Sequence, residues 1–141
     1  IITQIASGKS IVKLGALSPT RDFNFVIDTC NAFIAVATSN ESTGQVVNSA
    51  SNFEISIGDT FHLIADLMNA DVEVTSDEQR FRPEKSEVNR LFGSNQLLRH
   101  LTNWKPQYGG VEGFKLGLER TIEWFTNSSN LLHYKPDQYT V

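Results

Sequence analysis

Apolar and polar positions along the chain follow two spacings, and these predict short strands that alternate with helices. Alternating positions or short apolar runs predict strands or extended segments at 11–14, 22–27, 45–49 and 72–75. Apolar residues three and four apart predict helices that end at Gly8, run from 28 to about 39, follow Ser56, cover 97–101 and extend over 111–125. This mixture predicts a mixed α/β domain.

Short polar residues mark the predicted helix starts, because their side chains accept hydrogen bonds from the first free N–H groups of a helix. Asp28 and Ser94 are predicted to cap the helices that follow them. Ser56 with Asp59 resembles a capping box in which aspartate replaces the usual glutamate or glutamine.

The helix predicted after Asp28 carries an apolar stretch at 32–37 that leaves no polar face. Such a helix is buried on more than one side, and a chain of 141 residues has little core with which to cover it. We therefore expect this helix to pack against something outside the chain. In the last helix, Gly113 and Gly117 lower helix stability, so we expect close packing against a neighbour at both positions.

Composition indicates one ordinary globular domain of 141 residues, 40% of them hydrophobic. The net charge of -4 offers no basic footprint for nucleic acid and no cationic helix for a membrane surface. Cys30 is the only cysteine, which excludes an internal disulfide and fits a cytoplasmic location. The first residue is Ile1 instead of methionine, and it lies within a predicted helix that ends at Gly8. We therefore expect a fragment of a longer protein.

Motifs for catalysis and cofactor binding do not occur in the sequence. It has no Gly-x-Gly-x-x-Gly turn for a dinucleotide and no tyrosine followed four residues later by lysine. The three histidines lie in separate segments, at His62, His100 and His133. None of them has a second possible metal ligand at the spacing that metal sites require. We therefore expect no catalytic, cofactor-binding or metal-binding residue in this chain.

Two arginines lie close to prolines that stiffen the backbone, Arg21 after Pro19 and Arg82 before Pro83. A guanidinium presents a planar fork of donors that suits phosphate oxygens, so two of them from separate segments could clamp a diphosphate. The alternative is that each arginine pairs with a nearby acid, for example Arg21 with Asp28. Chemistry alone favours this alternative, because most arginines are solvated or paired.

Several segments, in order and spacing, resemble the extended short-chain dehydrogenases/reductases, the NAD-dependent epimerase/dehydratase family. Residues 21–28, Arg-Asp-Phe-Asn-Phe-Val-Ile-Asp, resemble that family's R-D-[FWY]-x-[YFH]-V-x-D segment. The other matching segments are Leu14-Gly15, 44–50, 54–57, Arg82-Pro83, 101–106, and 112–113 with 121–125 in the last helix. The match covers nearly the whole chain.

The resemblance implies roles for individual residues. Arg21 and Arg82 would hold the diphosphate of a nucleotide-diphosphate sugar. The backbone around Val12 and Leu14 would meet the nucleotide base, and the Leu14 side chain would pack on its face.

The ribose contact is less direct, because the position that is often acidic in the family is Lys85 here, and Glu84 is the substitute to test. The resemblance also implies a small mixed α/β substrate-binding domain with the last strand and helix of a Rossmann fold. Residues of about 28–50 would pack on the Rossmann domain, which lies upstream of Ile1 together with the catalytic residues and the NAD site. No cofactor is expected for this fragment alone, and the full-length enzyme would form a homodimer.

The Ser-Pro-Thr-Arg-Asp-Phe and Arg-Pro-Glu-Lys-Ser-Glu-Val segments look closest to NAD-dependent 4,6-dehydratases of the legionaminic acid and bacillosamine type, which are lyases acting on UDP- or GDP-linked N-acetylglucosamine. The fragment alone is expected to be inactive. One alternative is a nucleotide-sugar 4-epimerase of the same family. Another is a non-catalytic nucleotide-sugar-binding or interaction module, and a third is a chain that pairs with a separately encoded N-terminal half.

Overall fold

The chain has a mixed α/β fold, as predicted, in a computed structural model that describes residues 1–81, 86 and 88–134. The helices are α1 (Ile2–Ala6), α2 (Val26–Thr38), α3 (Ile57–Leu67), α4 (Gln96–Thr102), α5 (Gly110–Thr126) and α6 (Ser128–Leu131). The strands are β1 (Ile11–Leu14), β2 (Thr20–Asp22), β3 (Glu54–Ser56), β4 (Glu73–Ser76) and β5 (Arg90–Leu91). Short 3-10 turns lie at Asn40–Ser42 and Glu78–Arg80. None of the described helices combines the length and the apolar character needed to cross a membrane.

The chain divides into two compact units, and the first is built around a pair of parallel strands. It comprises the described residues of 1–19, 56–89 and 118–141. β1 pairs in parallel with β4, with Val12 opposite Val74. The Val12 side chain is completely buried in a cluster with Ile2, Ile5, Phe61 and Ile64. Removal of these apolar side chains from water is the main force that holds the strands and helices of this unit together.

The free edge of β1 is closed by a side chain from α1. The backbone N–H of Lys13 donates to Gln4 Oε1 over 2.9 Å, and Gln4 Nε2 donates to the Lys13 carbonyl over 3.1 Å. The Gln4 side chain is itself buried, so the amide satisfies backbone groups that would otherwise need a further strand or water.

The second unit, residues 20–55 and 90–117, contains a three-stranded sheet in the order β3-β2-β5. β2 and β5 run parallel, with Thr20 opposite Arg90. A buried cluster of Ala32, Leu98 and Trp104 joins α2 to α4 and the segment that follows α4. The rings of Phe23 and Phe53 both pack on Phe114 of α5, with centroids 5.6 and 5.8 Å away.

Two expectations about the middle of the chain are wrong. Residues 45–49 form no strand, because no described strand lies alongside them to complete a ladder. The extended segment expected at 22–27 is instead β2 at Thr20–Asp22, and α2 already begins at Val26.

The expected cap at Asp28 is also wrong. Asp28 lies inside the first turn of α2, its side chain is 1% exposed, and its oxygens accept the backbone N–H groups of Gln107 and Tyr108 over 2.9 and 2.8 Å. A carboxylate with two interior donors forms stronger bonds there than at an exposed helix end, so it turns inward.

The predicted capping box of α3 is confirmed. Asp59 N–H donates to Ser56 Oγ over 2.9 Å, and Ser56 Oγ donates to Asp59 Oδ2 over 2.6 Å. The cap expected at Ser94 is confirmed in part: Asn95 occupies the position before α4, but Ser94 Oγ accepts the N–H of Gln96, the first residue of the helix, over 3.5 Å. The Asn95 side chain is buried and donates to the Ala50 carbonyl over 2.7 Å, so it binds a neighbouring segment instead of its own helix.

Close packing at the two glycines of α5 is confirmed. A Cβ atom on Gly113 would overlap the backbone of Tyr108, and one on Gly117 would lie 3.3 Å from Phe25 Cδ2. The stability that glycine loses in a helix is therefore offset by contacts that a larger residue would prevent.

One side of α2 is apolar and exposed. The helix buries Asp28 and Ala32, whereas Phe33 is 72% exposed and Ile34 61% exposed. The other exposed residues of this face are Val26, Ile27 and Cys30. We call these five exposed residues the α2 face.

Candidate functional site

The carboxyl ends of β1 and β4 meet at one edge, because the strands are parallel. The Asp77 N–H donates to the Leu14 carbonyl over 2.8 Å. A Cβ atom on Gly15 would lie 2.5 Å from the Arg80 carbonyl oxygen, so only glycine permits this approach of the two segments. The segment that leads to Arg82 therefore starts beside Leu14 and Gly15.

A local ion pair shapes this segment. Asp77 accepts the backbone N–H of Gln79 over 3.1 Å and pairs with Arg80, whose Nε lies 3.2 Å from Asp77 Oδ2. Both side chains are mostly shielded, with exposures of 20% and 17%. The turn after β4 is thus fixed against the end of β1 by backbone and side-chain bonds.

The two residues predicted to meet the nucleotide base differ in what they expose. Val12 is fully buried, so its side chain is not available to a ligand. Leu14 is half-buried at the end of β1, and it packs against the core of the first unit. The base contact predicted for these residues stays a prediction.

Arg21 lies in β2 of the second unit, with a half-buried side chain. Its guanidinium donates from Nη1 to the Thr20 carbonyl over 2.8 Å. Asp28, the acid considered as its alternative partner, has both carboxylate oxygens bonded to backbone N–H groups. Arg82 and Glu84 lie outside the described residues, so the two-arginine clamp stays a prediction.

Sequence reasoning missed the residues that anchor β2 on both sides of Arg21. Asp22 accepts from the Ser51 N–H over 2.9 Å, from the Ser51 hydroxyl over 2.6 Å and from the Gly93 N–H over 3.3 Å. These bonds tie β2 to two distant segments. The Arg-Asp pair of the motif was the available signal, but the aspartate's partners are too far along the chain to be inferred locally.

On the other side of Arg21, a carboxylate joins all three strands of the sheet. Glu54 of β3 accepts from the Thr20 hydroxyl over 2.9 Å and from Arg90 of β5, with Nη2 2.6 Å from Oε1. Hydrogen bonds from Arg90, and then from Thr20, hold the pKa of Glu54 below its ordinary value. Arg21 thus projects from a strand whose neighbours are fixed by directional polar contacts.

The junction of β3 and α3 does not fit a dinucleotide. A pyrophosphate binds at a helix N-terminus that follows a strand and a glycine-rich turn. Where a strand runs directly into a helix, from β3 to α3, the Ser56 hydroxyl and the Asp59 carboxylate already occupy the N-terminus. A carboxylate at that point repels a phosphate. The part of the chain that is described also holds no group of histidine, cysteine and acidic side chains suited to a metal ion.

Known proteins with a similar sequence or a similar fold indicate the family of this chain. A relative in Pseudomonas aeruginosa, GDP-6-deoxy-D-mannose reductase, is 31% identical over 96 residues, which is 68% of this chain and 31% of the relative. The structure of RMD from Pseudomonas aeruginosa complexed with NADPH is 27% identical, with a TM-score of 0.71 over 86% of this chain and 38% of that chain. UDP-N-acetylglucosamine 4-epimerase from Methanobrevibacter ruminantium M1, in complex with UDP-N-acetylmuramic acid, is also 27% identical, with a TM-score of 0.74 over 88% of this chain and 37% of that chain. The chain therefore spans between 31% and 38% of the length of these proteins.

The fold and the motifs define an extended short-chain dehydrogenase/reductase of the NAD-dependent epimerase/dehydratase class, as the sequence predicted. Within that class, the family model for GDP-mannose 4,6 dehydratase matches residues 1–116, and the chain belongs to that family.

Proposed function

We propose that this chain forms the substrate-binding part of an NAD-dependent sugar-nucleotide 4,6-dehydratase of the legionaminic acid and bacillosamine type. Its substrate would be UDP- or GDP-linked N-acetylglucosamine. Membership of the GDP-mannose 4,6 dehydratase family supports this proposal. So does the similarity to a GDP-6-deoxy-D-mannose reductase and to an epimerase bound to a UDP-sugar.

Arg21 and Arg82 grip the substrate diphosphate in this proposal. The observation that carries it is the bond from the Asp77 N–H to the Leu14 carbonyl, 2.8 Å long, together with the tight contact between Gly15 and Arg80. These contacts hold Asp77 and Arg80, which shortly precede Arg82 in the sequence, beside Leu14, the residue proposed to pack on the base. A diphosphate and its base need binding groups in one neighbourhood, and the ends of two parallel strands provide such a neighbourhood.

The environment of Arg21 supports its proposed role. Glu54 and Asp22 hold β2 from both sides through hydrogen bonds of 2.6 to 3.3 Å. The half-buried guanidinium is consequently attached to a rigid strand and is partly shielded from water. Pre-ordering reduces the entropy lost on binding, and partial burial strengthens a charge-assisted bond to phosphate. Glu84 would hold the ribose hydroxyls, and the backbone around Val12 and Leu14 would meet the base.

The α2 face supports the proposal that residues of about 28–50 pack on a Rossmann domain. Its side chains form a continuous apolar stripe, because they recur at positions 26, 27, 30, 33 and 34. Exposed apolar stripes of this kind mark interaction surfaces. NAD and the catalytic residues would belong to that domain, and the complete cytoplasmic enzyme would form a homodimer.

A 4-epimerase is the second candidate, because the similar structure from Methanobrevibacter ruminantium is a UDP-N-acetylglucosamine 4-epimerase. Incubation of the full-length protein with UDP-N-acetylglucosamine and NAD, followed by mass spectrometry and proton NMR, separates the two. Loss of one water from the sugar supports dehydration, and a product of unchanged mass with inverted C4 supports epimerisation.

The clamp is tested by calorimetry with a UDP-sugar and the full-length protein. Arg21→Ala and Arg82→Ala should each weaken binding by about 10- to 100-fold, because hydrogen bonds to charged groups contribute about 1.5–3 kcal/mol. Arg120→Ala, at an exposed position of α5, is the control and should leave the affinity unchanged. Unchanged affinity in both Arg21→Ala and Arg82→Ala would overturn the clamp.

A further inference from the structure

Two adjoining surface hollows of the second unit share the side chains of Arg99 and Lys105. One has a volume of about 450 Å³ and is also lined by Gln96, His100 and Asn103. The other has a volume of about 270 Å³ and reaches the loop that starts α5, at Gly109 and Gly110. Arg21 lines neither hollow.

The lining of both hollows is basic and neutral. Among the described residues, no carboxylate lines either one. The side chains of Arg99 and Lys105 are exposed, and within the described part of the chain neither has a hydrogen-bond or ion-pair partner. Two unpaired cations that face the same hollow repel one another, and an anion between them would replace that repulsion with attraction. The hollows thus carry a local excess of positive charge in a chain whose net charge is -4.

The backbone adds donors on the same side. α5 is 17 residues long and starts at Gly110, so its first free N–H groups lie at the wall of the smaller hollow. The first turn of α5 also carries Glu112, which lines neither hollow but opposes an anion at this helix end, so the positive charge of the site comes from Arg99 and Lys105. A Cβ atom on Gly110 would meet nothing within 4 Å, which leaves the approach to this helix end open.

The loop between Lys105 and Gly110 is held in place by the buried side chain of Asp28. Asp28 accepts the N–H groups of Gln107 and Tyr108, and it is buried, so its charge does not line the hollows. The backbone of this loop is consequently fixed before any ligand arrives, which reduces the part of the binding cost that comes from ordering the loop.

We propose that these two hollows form a binding site for a phosphate-class oxyanion, with Arg99 and Lys105 as its charged ligands. Arg99 supplies a fork that matches two phosphate oxygens, and Lys105 supplies a point charge. Arg21 lines neither hollow, so this proposal does not depend on the proposed clamp. The oxyanion is either free inorganic phosphate or the phosphoryl group of a nucleotide.

The test measures the thermal unfolding midpoint of the full-length protein in inorganic phosphate and in sodium chloride of equal ionic strength. Phosphate should raise the midpoint above that in chloride, and the dependence on concentration gives Kd. Arg99→Gln and Lys105→Gln should each raise Kd by about tenfold, which corresponds to about 1.4 kcal/mol. Lys115→Gln removes the same charge from an exposed position of α5 that lines neither hollow, and it should leave Kd unchanged.

Three outcomes would overturn the proposal. The midpoint does not respond to phosphate beyond the effect of ionic strength, or the response is the same in Arg99→Gln and Lys105→Gln as in Lys115→Gln, or Arg21→Ala abolishes the response. The last result would assign the phosphate to the substrate diphosphate site, whereas a response that is unchanged in Arg21→Ala supports a separate site. A second titration, of the Arg21→Ala variant with UMP, shows which source binds: a lower Kd than that of inorganic phosphate, raised again by Arg99→Gln, identifies the nucleotide phosphoryl group.

Discussion

Replacement of Asp28 by asparagine should destabilise the second unit by an amount that follows from its two hydrogen bonds. The carboxylate is 1% exposed and accepts N–H groups over 2.9 and 2.8 Å. Asparagine keeps the shape but offers one acceptor oxygen, and its NH₂ group then faces a backbone N–H. One charge-assisted bond is lost and a buried donor is left without a partner, so we expect a loss of about 3 kcal/mol in the free energy of unfolding.

Urea unfolding, followed by the fluorescence of Trp104, measures the loss of free energy of unfolding in the second unit. Trp104 is buried in the cluster with Ala32 and Leu98, within the same unit as Asp28. The protein has two tryptophans, and a Trp124→Phe background removes the other signal. With a slope of about 2 kcal/mol per molar urea, the midpoint should fall by about 1.5 M.

The matched control is Asp66→Asn, at an exposed position of α3, which should change stability by less than about 0.5 kcal/mol. If Asp28→Asn lowers stability no more than Asp66→Asn does, the loop from 105 to 110 is not held by the carboxylate. Asp28→Ala provides a second check, because it leaves both N–H groups unsatisfied and should cost at least as much as asparagine.

Three further predictions concern α5, the sheet and the α2 face. Gly113→Ala should lower stability by about 1–3 kcal/mol despite the better helix propensity of alanine, whereas Gly58→Ala, whose Cβ would lie 3.5 Å from Leu17, should be nearly neutral in the same urea assay. The pKa of Glu54 lies below its ordinary value of 4.5 because of the hydrogen bond from Arg90. The ionised carboxylate therefore stabilises the fold above pH 4.5. This stabilisation is lost as the pH falls through the lower pKa that Glu54 has in the folded state. The stability difference between wild type and Glu54→Gln should therefore vanish on acidification, and a pH-independent difference would contradict this assignment. Phe33→Ser should destabilise the full-length protein but change the 141-residue chain by less than about 0.5 kcal/mol, and equal effects in both would argue against a partner for the α2 face.

Local signals in the sequence predicted local structure well. Ser56 and Asp59 are three residues apart, so their bond is decided within one turn, and the capping box is confirmed. The spacing of apolar residues likewise placed β1 correctly, and the predicted strand at 72–75 is β4 within one residue.

Features that depend on distant residues were predicted less well. Asp28 has the chemistry of a cap, but its partners lie 79 and 80 residues further along the chain. The alternation at 45–49 is typical of a strand, yet a strand exists only beside another one, and none is described there.

For the candidate site, the sequence led to the proposal of Arg21 but not to the side chains that fix its strand. Asp22 and Glu54 act through Ser51, Gly93 and Arg90, which come together only in the folded chain.

The amide of Gln4 has a consequence for how this protein associates with other chains. Because both backbone groups of Lys13 are already bonded to that side chain, an incoming strand would have to break two hydrogen bonds before it could add to β1. Exposed strand edges are templates for aggregation, so this one buried glutamine directs any extension of the sheet away from β1.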